Sequence, residues 1–459
     1  MSQFELKPYR SIMAEFVTQT HYESLPSEVI KQAKICILDL VGVALAAGNS
    51  KLGQMALALA QEMGTAQESS VWGTGEKLSS PAAVFVNAMR GHIMDMDDGH
   101  RFGAAHMGVI AVPVAMALAE KENLTGRELI EAIAVGYEIG VRLGTFINPG
   151  HLKRGFHTTA TVGVFASAAV AAKILQLSHS QTEHCFSLAG LQSAGLLEAL
   201  TSGHMGKSFQ VGRAAQNGVW AAFAAKLGIE GPERIIEGED GFLHAYSDGG
   251  KEPEVLFSNM GMPFQILSIY LKTHAACRHI HPALDAIEIV KHQQNLRAED
   301  VVSVDVETYS VAVKLTGKNP KEPSAIAAKF SMPLSIGLMF TFGEAGPGVY
   351  TDKNAGHHLV RSIADSVTIR TSPHRDSMYP AERGAMVTIK TLRDTFTLEV
   401  KYPKGEPENP LEQAEIVNKF KVNAAQVFQP EETEQLVQSI LNLENMKIRD
   451  LAKLLKSST

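Results

Sequence analysis

The sequence predicts a mainly α protein, a large all-helical domain with a smaller inserted α+β lid domain. Three observations carry this. Residues 1–260 present one apolar helical pattern after another. Period-two alternation, the mark of a half-buried strand, is confined to 301–313 and 386–402. Helical patterns return after the Pro/Gly-rich YPKGEPENP at 402–410. The expected boundaries are 1–265 plus 405–459 for a discontinuous helical domain and 266–404 for the lid.

Each element has a local reason. Ser79-Ser80-Pro81 supplies a cap and a first-turn proline before AAVFVNAMRGHIMD. Thr125 with Glu128, and Ser178 with Gln181, form capping boxes before two further helices. Small residues crowd VGVFASAAVAA and AAFAAKLG, so those helices can approach closely. In the lid, VVSVDVETYSVAV (301–313) reads as a strand, and MVTIKTLRDTFTLEVKY (386–402) as a hairpin turning at Arg393-Asp394. Helical patterns cover Pro282–His292 and Ser324–Met339. LEQAEIVNKF, EETEQLVQSIL and MKIRDLAKLL return the chain to the first domain.

Bulk properties narrow the function. A net charge of -7 argues against non-specific nucleic-acid binding. Cys36, Cys185 and Cys277 are scattered and form no CxxC, so neither a disulfide framework nor a structural zinc site is expected, and a cytoplasmic location fits. MSQFELKPYR lacks the charged-then-apolar order of a signal peptide. The apolar stretches Ile37–Ala47, Met107–Leu118 and Thr158–Ala172 fall short of the roughly 18 residues that a membrane span needs.

Four segments concentrate reactive side chains. In MDMDDGHRFGAAH (94–106), helical spacing puts Ala88, Gly91, His92 and Asp95 on one face, directing Asp95 inward. Gly99 reads as the left-handed residue that ends this helix. Asp97 and Asp98 oppose the helix dipole and read as local turn caps. His106 stands just before the next apolar helix. In RGFHTTATVG, His157 sits at the mouth of a buried helix, as an acid–base group or as a capping histidine. SGHMGKSFQVGRAAQNG (202–218) is no P-loop, because Thr201 occupies the first glycine position and no strand precedes it. Lys207 before a helix N-terminus can still hold a carboxylate. In KTHAACRHIHPALDA, Lys272, His274, Arg278, His279 and His281 crowd a helix start. That arrangement is unfavourable unless an anion sits among them. No HExxH, EF-hand, GxSxG or dinucleotide-binding pattern appears, so no metal and no cofactor are expected.

HIMDMDDGHRFGAAHMG, RGFHTTATVG, GKSFQVGRAAQNG and LKTHAACRHIHPALDA occur in the order found in the MmgE/PrpD family, and the chain resembles that family over nearly its whole length. The resemblance implies an all-helical domain, an α+β lid with a cleft between them, and a homodimer without metal or organic cofactor. It also implies catalytic roles for Asp95, His106, His157, Lys207 and Lys272. Arg278, His279, His100 and Gly99 are candidate substrate-binding positions. Two departures stand out. Gly99 replaces a common threonine, in a segment to His106 that is one residue longer, and Leu334 replaces a lid tyrosine in KFSMPLSIG. Both remove hydroxyls from the expected pocket, which points away from standard cis-aconitate decarboxylation.

The expected function is a cofactor-independent lyase on a small di- or tricarboxylate, resembling 2-methylcitrate dehydratase. The lysines would hold carboxylates while a histidine, with an unperturbed pKa of about 6.5, moves a proton alpha to one of them. The alternatives are an epimerase of the iminodisuccinate type, a decarboxylase or epoxide hydrolase on a dicarboxylate, and a non-catalytic carboxylate-binding protein. No nucleic-acid or membrane partner is expected.

Overall fold

The computed structural model describes residues 7–201, 205–249 and 253–457. Residues 202–204 of the SGHMGKSFQ run, and 1–6 of the N-terminal segment, lie outside the described residues.

The chain is mainly α. The helices that position the site are α1 (Ser27–Gly48), α2 (Ser80–Ile93), α3 (Gly108–Glu122), α4 (Gly126–Ile147), α5 (Thr158–Ile174) and α6 (Gly206–Lys226). Ser79 stands at the N-cap position of α2 with proline in the first turn, but its side chain makes no capping bond and Glu68 accepts from the Ser80 amide instead. Thr125 and Glu128 form the predicted capping box on α4. Ser178 and Gln181 do the same for His179–Gly190.

Helix α5 runs through the middle of this bundle and packs against α3, α4 and α6. Its Val162, Val164, Phe165 and Val170 are fully buried. Each such side chain contributes about 1.5–3 kcal/mol of transfer free energy. Small residues let the backbones close in. At Gly218 of α6 a side chain would run into Ser167 of α5, whose hydroxyl donates to the Ala215 carbonyl at 2.5 Å.

Two hydrophobic cores result. One draws on residues 9–271 and again on 416–455, because α10 (Gln413–Ala424) lays Phe420 against Gly42 of α1. The other gathers residues 275–400 with Val43 and Met96. It contains α7 (His281–Gln294), α8 (Ala325–Lys329), α9 (Met332–Phe342) and a four-stranded sheet. Val301–Thr308 is central, parallel to Val367–Thr371 on one side and antiparallel to Ala385–Thr391 on the other. Thr395–Val400 completes the predicted hairpin. Val304, Val306, Val387 and Ile389 are buried, and α7 packs against the hairpin strands.

Three local expectations change. The strand predicted over 301–313 stops at Thr308, and Ser310–Thr316 is helical, its first amide donating to Asp376. The helix predicted over Ser324–Met339 breaks at Phe330, where Ser331 caps a new start and Pro333 sits in its first turn. The parallel strand Val367–Thr371 is half-exposed and polar, which hid its periodicity. Among the described residues no helix is long and apolar enough to cross a membrane.

Candidate active site

The site forms where the ends of α2, α5 and α6 meet the segments 94–106 and 270–274. Helix α2 stops at Ile93, not at Gly99, and the left-handed residue is Asp95, with φ 52°. Aspartate tolerates that conformation better than most side chains. The kink turns Asp95 into the interior, where its carboxylate pairs with Lys207 and lies 3.2 Å from Lys272 Nζ. Lys272 also donates to the Asp95 carbonyl at 2.8 Å. Burial disfavours charge on this carboxylate, but Lys207 and Lys272 overcome that cost and hold the carboxyl below the usual range.

Gly99 has a different role from the one expected. It makes an isolated antiparallel bridge with Tyr270, with N–H···O distances of 3.0 and 2.8 Å. A side chain at this position would collide with the Tyr270 ring, so Gly99 is required for close approach, not to stop a helix. The bridge brings the segment that carries Lys272 alongside the one that carries Asp95.

Three imidazoles gather beside this pair. His92, in the last turn of α2, lies 5.0 Å from His106 and 6.2 Å from His157 between ring centroids. His106 Nδ1 faces the Asp98 carbonyl at 2.6 Å and Asp97 Oδ2 at 3.2 Å. Both are acceptors, so Nδ1 carries a proton and Nε2 is the ring nitrogen left for a substrate. His92 Nδ1 lies 2.8 Å from the same Asp97 oxygen. His157, the N-cap residue of α5, is buried and its Nδ1 has no partner among the described residues. Burial holds His157 well below the usual histidine range and His92 at about 4, so both are neutral.

The expectation that Asp97 and Asp98 merely cap turns is overturned. Asp97 is fully buried and anchors two histidines; they hold its carboxyl well below the usual range against the opposing effect of burial. Asp98 accepts from Tyr137 Oη at 2.8 Å and from the Gly108 amide at 3.1 Å. Burial, reinforced by the Asp97 charge, pushes its carboxyl up to about 8. A folded chain that keeps this proton up to about 8, against 3.8 when unperturbed, binds more protons than the unfolded chain between those values. Stability contributed at Asp98 therefore falls as pH rises through that window. Asp98→Asn has no titrating group and can still accept from the Gly108 amide through Oδ1 while its Nδ2 donates to Tyr137 Oη. Its denaturation midpoint should decline less than the wild type's between about pH 5 and about pH 8; an unchanged decline would rule out Asp98 as the source.

Other expected binding residues are placed elsewhere. Arg278 is held within the chain: Nε donates to Glu406 at 3.1 Å, Nη1 to the Lys404 carbonyl and His281 Nδ1, and Nη2 to the Pro403 carbonyl. His274 lies 2.9 Å from Asp285. The crowded cations of 272–281 are thus largely neutralised by the chain's own carboxylates, and four of the five Arg278 donors are spent within the chain. His100 is held by Ser268 and the Gly103 amide, so both ring nitrogens serve local structure. His279 bonds Tyr309 Oη at 2.5 Å within an aromatic group that includes Tyr379. Leu334 is buried in the second core.

Two cations at the site carry no motif signal. Lys329, the last residue of α8, is buried and donates to the Ile93 carbonyl at 3.1 Å, two residues before Asp95. Burial lowers its pKa to about 8, with Asp95 opposing the shift and Lys207 and Lys272 adding to it. Its only hint in the sequence is a lone lysine in the apolar AIAAKF. Arg383 is buried with Nε unpartnered and packs over Tyr270 and Tyr379. His92, Asp97 and His106 have donor atoms within 4.8 Å of one another, and are the residues of this site that could hold a metal.

Two buried ammonium groups pair with one carboxylate, Lys329 lies close by on the Ile93 carbonyl, and Asp97 anchors His92 and His106. This site, with the family comparisons below, belongs to an enzyme of the lyase or isomerase class. The MmgE/PrpD N-terminal domain matches residues 11–254 and the MmgE/PrpD C-terminal domain residues 274–445. The chain belongs to the MmgE/PrpD family. It is 27% identical to the cis-aconitate decarboxylase-like protein oryM of Aspergillus oryzae, over 97% of both chains. It is also 27% identical to the cis-aconitate decarboxylase of Homo sapiens, over 95% of this chain and 93% of the relative. With the 2-methylcitrate dehydratase of Cupriavidus necator it shares 24% identity over 62% of each.

Proposed function

We propose that this protein is a cofactor-independent lyase that abstracts a proton alpha to a carboxylate of a small tricarboxylate and expels a beta hydroxyl, as a 2-methylcitrate-type dehydratase does. The observation that carries this reading is the pairing of Lys207 and Lys272 with Asp95, with Lys329 held on the Ile93 carbonyl two residues away. Abstraction places a second negative charge on the substrate carboxylate as the enediolate forms. Preorganised ammonium groups in a buried site stabilise that charge more than they stabilise the ground state. A carboxylate leaving as CO2 is served better by apolar surroundings than by three ammoniums. His106 Nε2 takes the proton. Lys329 returns one to the departing hydroxyl, so the products are a conjugated alkene and water.

The unit of residues 266–404 acts as the lid, closing over the helical domain, and the working form is a homodimer. The test is incubation with 2-methylcitrate and citrate, followed by ultraviolet absorbance. Alkene formation supports dehydration. Deuterium entering recovered substrate from D2O without alkene would replace it with epimerisation. Decarboxylation is the second reading, favoured by the relatives of that name that match over nearly the whole chain; CO2 release from cis-aconitate would establish it.

Lys329 gives a sharper check. Lys329→Met should raise KM for a tricarboxylate by roughly 10–100-fold, the worth of a charge-assisted hydrogen bond. In the free wild-type enzyme its charge is lost as pH rises through about 8, so binding should weaken there. An unchanged KM in the variant would remove Lys329 from the binding site.

A further inference from the structure

Arg278 spends most of its donors within the chain, but a second guanidinium near the same segments does not. Arg383 is 4% exposed, yet among the described residues it pairs with no carboxylate. Its one hydrogen bond there runs from Nη2 to the Arg101 carbonyl at 2.5 Å, and Nε has no partner. The carboxylates around it are taken. Glu382 pairs with Arg375 at 3.2 Å, and Glu406 lies between Arg278 at 3.1 Å and Arg101 at 3.5 Å. A buried cation without a counter-charge is costly, so an anion that completes it gains accordingly. For a guanidinium with a free Nε–H, the fitting acceptor is a carboxylate.

Arg383 belongs to the wall of the candidate active site. Arg101, whose carbonyl it bonds, lies on the segment that carries Asp95 and His106. Its guanidinium packs over Tyr270 and Tyr379, 5.8 Å from each ring centroid. Tyr270 bridges Gly99 and stands two residues before Lys272. Tyr379 stacks on Tyr309 at 4.8 Å, and Tyr309 in turn bonds His279. From His279 the chain leads back to the lysines, because the Cys277 amide donates to the Lys329 carbonyl at 2.9 Å. Burial, then Arg383, Lys272 and Arg278, disfavour charge on the His279 ring, whereas Asp95 favours it. One imidazole is thus within electrostatic reach of both Arg383 and the Asp95–Lys272 pair. Cys277, His279 and Tyr379 are only half-buried along this wall.

We propose that Arg383 holds a second carboxylate of the substrate, at the far end of the site from the Asp95–lysine cluster. The inference rests on the reading of the site as one for a small polycarboxylate, and narrows it. The substrate carries carboxylates on different carbons. One lies at the lysines, where the proton is abstracted, and one at Arg383, where it takes no part in the chemistry. The rings of Tyr270 and Tyr379 and the Arg101 carbonyl fix the guanidinium in advance. An acid lacking the second carboxylate leaves Arg383 uncompensated, which makes it a specificity-determining residue.

The test is calorimetry on the full chain with two unreactive acids. Tricarballylate carries carboxylates on successive carbons and is long enough to reach both ends; malonate carries both on one carbon and engages the lysine end alone. Arg383→Met should weaken tricarballylate by roughly 10–100-fold, the worth of a charge-assisted hydrogen bond, and leave malonate unchanged. Unaltered tricarballylate affinity in the variant overturns the proposal, as does absence of tricarballylate binding to the wild type. An equal loss for both acids also overturns it, since that marks a structural role. Where Arg383→Met does not fold, Arg383→Lys takes its place: it keeps the charge but loses the planar fork, and should still weaken tricarballylate selectively. Neither acid has a hydroxyl to expel, so the outcome is independent of the reaction. Absence of alkene from 2-methylcitrate would remove dehydration and leave the Arg383 site standing; unaltered tricarballylate binding in the variant would do the reverse.

Discussion

Alanine in place of His106 is expected to lower turnover by roughly 10²–10⁴-fold, the range for loss of a positioned general base, with the fold retained. The tautomer of His106 is set from behind, by the Asp98 carbonyl and the Asp97 carboxylate. Its Nε2 is therefore the basic nitrogen. His92 and His157 are less suited, since burial keeps both neutral and resists the charge that a base must accept. Removing His106 leaves Asp97 still paired with His92 at 2.8 Å, so no buried carboxylate is stranded. Steady-state turnover and the thermal midpoint separate the two effects. Turnover within about threefold of wild type would assign the base elsewhere.

Asp95→Asn should have the largest combined effect. Asparagine accepts the left-handed backbone at this position, so the substitution tests charge, not conformation. Lys207 and Lys272 are 8% and 1% exposed, and both lose their counter-charge. Breaking a buried pair in this way costs about 3–5 kcal/mol. Turnover should fall as well, because the ammonium groups lose their orientation. Denaturant unfolding in the presence and absence of a tricarboxylate is the check. The ligand should restore part of the lost stability, since it supplies the missing anion. A variant as stable as wild type would show that the triad is not electrostatically coupled.

The parts of the fold legible in the sequence are those set locally. The capping boxes at Thr125 and Ser178 act within one helical turn, and the hairpin at Arg393-Asp394 within one pair of strands. The site was legible wherever a reactive residue stood beside an apolar helix: Asp95, His106, His157, Lys207 and Lys272 all come near one another. What was hidden depends on partners distant in sequence. Arg278 looked free because Glu406, its partner, lies 128 residues away. Lys329 looked like the edge of a core helix because Ile93, whose carbonyl it bonds, is 236 residues away. Asp97 was misread for a different reason. Its pairing with His92 is possible only because α2 ends at Ile93, and Gly99 offered a more conspicuous place to end it.

The pairing of Asp95 with two lysines has a kinetic meaning. On the proposed reading, the empty enzyme carries a tethered carboxylate in the place that a substrate carboxylate would seek. This internal competitor orients the lysines between turnovers, and each incoming anion must share or displace its contacts. Product can then leave without exposing a bare cationic pocket. Tight binding and rapid release are set against each other by one side chain, so Asp95→Asn should hold small tricarboxylates more firmly even as it turns them over more slowly.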